Sequence, residues 1–132
     1  MKHLSRLIYY WLPPLIWMTI IFYLSSRTRI ITINEYIVSF IIFKTLHVIE
    51  YGLLYFLTFR AFYSLSDKKI NRQKKFILPL IISILYAVSD EIHQKFVPSR
   101  EGRIRDILID SLGVYLMYIY IKNNLKSLRK LI

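Results

Sequence analysis

The chain has 132 residues, room for one domain, and at 55% hydrophobic and 20% charged it is too apolar for an ordinary soluble domain of this size. Its 19 Lys and Arg against 8 Asp and Glu give a formal net charge of +11. The mean hydropathy of +0.41 shows that the basic residues punctuate apolar runs, which excludes a disordered basic tail and a nucleic-acid module with one solvated basic face. The absence of cysteine excludes disulfides, thiolate metal sites and a cysteine nucleophile.

The charges delimit four apolar segments, at about 7–24, 44–63, 76–97 and 104–121, each near the ~20 residues that a bilayer core requires. The expected fold is all-α, a single integral membrane domain of four transmembrane helices over residues 1–132. The first segment carries a Tyr9-Tyr10-Trp11 flank and no small-x-small cleavage site, so it reads as an uncleaved anchor and not as a signal peptide. Pro13-Pro14 is expected to kink it or to mark its first turn. The third segment is uncharged only from Phe76 to Ser89, roughly 21 Å of helix, and must continue through Asp90, Glu91, His93 and Gln94 to span. The end of the chain, with Leu125, Leu128 and Ile132 set against Lys126, Arg129 and Lys130, reads as a short amphipathic helix on the inner leaflet.

Orientation follows from the cations. One side receives Lys2, Arg6, Lys68, Lys69, Arg72, Lys74, Lys75, Lys122, Lys126, Arg129 and Lys130; the other receives Arg27, Arg29, Lys95, Arg100, Arg103 and Arg105. That excess predicts a multi-pass protein of the cell membrane with both termini cytoplasmic. Lys44 and Arg60 lie within the second segment, and Arg60 is placed to snorkel to the cytoplasmic surface.

The polar residues inside the segments fall into one pattern. Lys44, His47, Glu50 and Tyr51 are spaced i, i+3, i+6 and i+7 and occupy one helical stripe. A charge near a helix centre costs about 2.5–3.5 kcal/mol on insertion, so this stripe must meet partners in other helices. Asp90, Glu91, His93 and Gln94 close the third segment, and Arg103, Asp106 and Asp110 open the fourth, with Gly113 on the same stripe. Counted inward from the outer boundaries, Glu50, Glu91 and Asp110 share a depth of about 9 Å. The intervening turn contains Pro98 and Gly102 and is expected to hang Arg100 and Arg103 over the acids. Such a cluster suits an anionic or zwitterionic headgroup, and also proton transfer. Interhelical ion pairing with Lys44, Arg100 and Arg103 is the structural alternative. No short histidine and carboxylate run fixes a metal site, so no metal and no cofactor are expected. Gly52 and Gly113 are expected to permit close helix approach.

At these residues the sequence resembles the VanZ-like family of small bacterial membrane proteins. The resemblance is carried by Ser25-Ser26, by Lys44-x-x-His47-x-x-Glu50-Tyr51-Gly52-Leu53, by the run from Ser89 to Arg100, and by Arg105-Asp106, Asp110 and Gly113. Ser99 stands where the family commonly has Gly, and Met117 where it often has a second Gly. The resemblance implies a link to reduced susceptibility to the glycopeptide teicoplanin, without a reaction attached. The residues and the resemblance together predict binding of an anionic envelope lipid headgroup, a wall-polymer precursor or a lipoglycopeptide. The binding residues are then Lys44, His47, Glu50, Tyr51, Asp90, Glu91, His93, Gln94, Arg100, Arg103, Asp106 and Asp110. The alternative is a membrane-embedded hydrolase or transferase acting on a lipid-linked envelope substrate. Membrane lipids are the expected partners, nucleic acid is not, and an oligomer is compatible with the pattern.

Overall fold

The computed structural model describes residues 2–27, 36–65, 70–100, 102–128 and 131–132. Arg29, Lys68, Lys69, Arg129 and Lys130, which enter the orientation argument, lie outside the described residues. Four helices make up the described fold: α1 (Lys2–Ser25), α2 (Tyr36–Tyr63), α3 (Arg72–Gln94) and α4 (Ile104–Leu128). Asn71 caps α3 by accepting the Lys74 N–H at 2.9 Å, satisfying one of the donors a helix start leaves free.

Three helical stretches are long and apolar enough to cross a membrane: Ser5–Ser25, Phe40–Tyr63 and Arg72–Gln94. Four were expected. The difference is α4, whose first half contains Arg105, Asp106 and Asp110. Asp106 and Asp110 are only 7% and 1% exposed, so these two acids face protein. The third segment also ends earlier than expected, at Gln94, after which the backbone turns through Lys95–Ser99.

α2 is the central element, packed against each of the other three, with its closest association to α4. Its Tyr51, Leu54, Tyr55 and Phe59 form the core with Ile21 of α1, Ala87 of α3, and Val114 and Ile121 of α4. Lipid tails are as apolar as leucine, so close packing and polar contacts hold helices together where the hydrophobic effect does not. Gly113 supplies the closest approach: a Cβ there would run into the Val48 carbonyl oxygen of α2, and a Cβ on Gly52 would lie 3.3 Å from the Gly113 oxygen. α1 is tied on by hydrogen bonds from the Trp17 indole to the Glu50 carbonyl (3.0 Å) and from the Tyr86 hydroxyl to the Met18 carbonyl (2.6 Å).

Two local expectations change. α1 begins at Lys2, so Pro13 and Pro14 lie within the helix and do not mark its first turn. The end of the chain is a short helical stretch set off by a kink at the non-helical Asn124 (φ −110°, ψ 17°), with Lys126 exposed, but its apolar side chains Leu125 and Leu128 lie in the protein core and not on the leaflet. An apolar face that reads as membrane-seeking in isolation finds protein to bury against.

Candidate functional site

Polar residues from all four helices meet at one end of the bundle. α2 and α4 start there and run parallel, because Lys44 pairs with Asp106 and, one turn further along both helices, His47 pairs with Asp110. α1 and α3 end there, since Ser25 and Ser26 of α1 reach Asp90 and His93 in the last turns of α3. The i, i+3 spacing of Lys44 and His47 on α2 thus matches the i, i+4 spacing of Asp106 and Asp110 on α4.

The geometry assigns each acid a distinct set of contacts. Lys44 Nζ lies 2.8 Å from Asp106 Oδ2. His47 Nδ1 lies 3.3 Å from Asp110 Oδ1 and 3.9 Å from Glu50 Oε2, and its ring stacks on Tyr51 with centroids 6.5 Å apart. Asp90 accepts from Ser25 Oγ at 2.5 Å and from Gln94 Nε2 at 2.9 Å. Ser26 Oγ and His93 Nε2 are 2.9 Å apart, and the His93 ring packs against Phe22. Glu91 accepts the Arg103 backbone N–H at 3.1 Å, a donor at the start of α4 that the helix cannot satisfy itself. A carboxylate from α3 therefore caps α4, in the place where the helix dipole favours negative charge.

Ten of the expected residues, Lys44, His47, Glu50, Tyr51, Asp90, Glu91, His93, Gln94, Asp106 and Asp110, come together as expected. The two arginines join the cluster at its edge, Arg100 within electrostatic reach of Glu50. The Arg100 guanidinium donates to the carbonyls of Leu24 (2.8 Å) and Arg27 (3.0 Å), so it caps the C-terminal end of α1. Arg103 contributes its backbone N–H, and its side chain is exposed. Gly102 allows this turn: a Cβ there would run into the Glu91 carbonyl oxygen. Ser99 takes φ 64°, the left-handed conformation that glycine adopts readily, and so keeps the turn geometry without the glycine.

Ser25, Ser26 and Phe22 were not among the expected site residues, although the serine pair is visible in sequence as the polar end of the first segment. The site is buried as well as charged: Asp90, Glu91, Gln94, Asp106, Asp110 and His47 are all inaccessible or nearly so. Glu91 Oε1 and Asp110 Oδ2 make no hydrogen bond to a described residue. Among the described residues no three His, Asp or Glu side chains converge as metal ligands. Around this buried layer Arg27, Lys95, Arg103 and Arg105 are exposed, and Arg105 lies over the Phe40 ring at 4.9 Å.

A family model described as VanZ/LLP1 matches residues 4–126, and the chain belongs to this VanZ-like family. Comparison with curated proteins and with solved structures finds no match.

Proposed function

We propose that this VanZ-like protein crosses the cell membrane four times with both termini cytoplasmic, and that its polar end recognises an anionic envelope lipid headgroup, a wall-polymer precursor or a lipoglycopeptide. The fourth crossing is α4, whose charged outer half inserts with the support of α2 and α3. The observation that carries the binding reading is the layering of charge. The acids are engaged inside by Lys44, His47, Ser25, Gln94 and a helix N–H, Arg105 reaches Asp106 from the outside at 3.4 Å, and Arg27, Lys95 and Arg103 are exposed around them. Guanidinium groups bind phosphate and carboxylate through paired hydrogen bonds. In this arrangement the acids hold the scaffold and the outer arginines meet the ligand. Any effect on teicoplanin susceptibility then arises by capture of the drug or of its wall-precursor target at this end.

Native mass spectrometry of the purified protein tests the reading directly. The wild type retains an envelope lipid, a precursor or added teicoplanin, and Arg103→Gln combined with Arg105→Gln loses it while membrane insertion persists. Retention unchanged in that double variant refutes the assignment. Orientation is checked separately: a cysteine at Ser99 reacts with an impermeant thiol reagent in intact cells, and one at Ser127 does not.

A second reading, a hydrolase or transferase acting on a lipid-linked substrate, is favoured by one observation. Glu91 and Asp110 each keep a buried carboxylate oxygen outside any hydrogen bond to a described residue, as a proton-handling group would. A chemically converted ligand that disappears in Glu91→Asp, with the ligand still held, selects this second reading.

A further inference from the structure

The end of the bundle opposite the polar cluster holds a cavity of about 380 Å³ lined by Tyr9 and Tyr10 of α1, Phe56 and Arg60 of α2, and Leu131 and Ile132. Arg60 stands in the last turn of α2, at the level where a spanning helix meets the headgroups. Its guanidinium lies 4.6 Å from the Tyr9 ring centroid and 4.9 Å from that of Tyr10. Ring contacts of this kind use the face of a guanidinium and leave the N–H groups around its edge for hydrogen bonds. Arg60 Nε is buried and has no hydrogen-bond partner among the described residues, and no described carboxylate pairs with Arg60. A second guanidinium, that of Arg6, lies 6.0 Å from the Tyr10 ring, so two cations share one aromatic ring.

We propose that this cavity binds the phosphodiester of an anionic phospholipid from the leaflet at that end, with Arg60 donating to the phosphate oxygens and Arg6 adding charge beside it. Phe56, Leu131 and Ile132 supply an apolar wall for the glycerol and the first acyl carbons. Tyr9 and Leu131 are themselves largely exposed, so the cavity opens toward the surrounding lipid. Charge selects the class of lipid. The described side chains that line the cavity include no carboxylate to meet the ammonium of a zwitterionic headgroup, and Arg60 and Arg6 are both cationic. A guanidinium with a buried donor that lacks a partner among the described residues gains more from a phosphate in a low-dielectric setting than a solvated surface arginine does. The site is separate from the polar cluster and does not rest on the headgroup reading given for it.

The test is native mass spectrometry of the full chain in mixed micelles containing equal amounts of phosphatidylglycerol and phosphatidylcholine with identical acyl chains. Wild type retains phosphatidylglycerol preferentially. Arg60→Gln lowers that preference by about tenfold, the loss expected for charge-assisted hydrogen bonds, whereas Arg72→Gln, an exposed cation at the same end, leaves it unchanged. Leu131→Asp places a carboxylate at the cavity mouth without disturbing the core, and it lowers the preference as Arg60→Gln does. Helicity by circular dichroism accompanies each variant, and if Arg60→Gln does not fold, Leu131→Asp alone decides. Equal losses in the Arg60 and Arg72 variants, equal retention of both lipids by wild type, or full preference in folded Leu131→Asp overturns the proposal.

Discussion

The two ends of the bundle treat charge in opposite ways. At the polar end stand all the described acids, Glu50, Asp90, Glu91, Asp106 and Asp110, and the cations among them are met inside the protein, Lys44 by Asp106 and His47 by Asp110. At the other end there is no described acid. Lys75, though buried, donates Nζ to the carbonyls of Tyr63 (3.3 Å) and Leu65 just past α2 and lies over the Tyr63 ring. Lys122 lies over Tyr118 at 5.6 Å, and Arg60 over two tyrosines. One end neutralises its charge internally, and the other directs its cations at carbonyl oxygens, aromatic rings and the surrounding lipid.

This difference predicts unequal responses to charge removal. The largest effect falls at the polar end. Asp106→Leu leaves Lys44, whose side chain is 14% exposed, without its 2.8 Å partner, and an uncompensated charge at a fully buried site costs about 3–5 kcal/mol, an upper bound here. Thermal unfolding in detergent should show that loss, with much of it restored when Lys44→Met is added, because replacing both members of a pair removes the stranded charge. If the double variant is as unstable as Asp106→Leu alone, the pair is not what holds α2 and α4 in register.

Next comes the junction on which the polar end depends. Gly113→Ala drives a methyl group into the Val48 carbonyl oxygen and should destabilise by about 1–3 kcal/mol, while Gly52→Ala, whose methyl group would sit a tight 3.3 Å from the Gly113 oxygen, costs less. The ratio of the two midpoints measures which glycine sets the spacing of the helices. A smaller effect separates the two capping cations. Lys75→Met and Arg100→Gln each free carbonyls at a helix end. Each should cost about 1 kcal/mol or somewhat more, the larger loss falling on Lys75, whose carbonyls are less accessible to water. The smallest change is favourable: Ser99→Gly relieves a left-handed serine at φ 64° and should raise stability by up to about 1 kcal/mol. A drop instead would show that the serine hydroxyl contributes more than the backbone conformation costs.

Periodicity alone determined much of this protein. Apolar runs cut by charge give helices, and polar residues at i, i+3 and i+7 within such runs have to face one another, because lipid offers them no partners. That logic holds for Lys44, His47, Asp106 and Asp110, and it assigns Gly113 correctly to the helix junction. It is silent where a side chain meets a neighbour from another segment. The sequence sets Arg100 over the acids, but its bonds to the carbonyls at the end of α1 are invisible there, because no spacing within one segment reveals a neighbour supplied by another. Leu125 and Leu128 read as membrane-seeking until the non-helical Asn124 turns them into the core. The Arg60 cavity depends on Tyr9 and Tyr10, some fifty residues away in sequence, meeting one face of α2. Local pattern determines which residues must be satisfied; the way the helices pack decides what satisfies them, because the competing partners of a long cationic side chain come from parts of the chain that only the fold brings together.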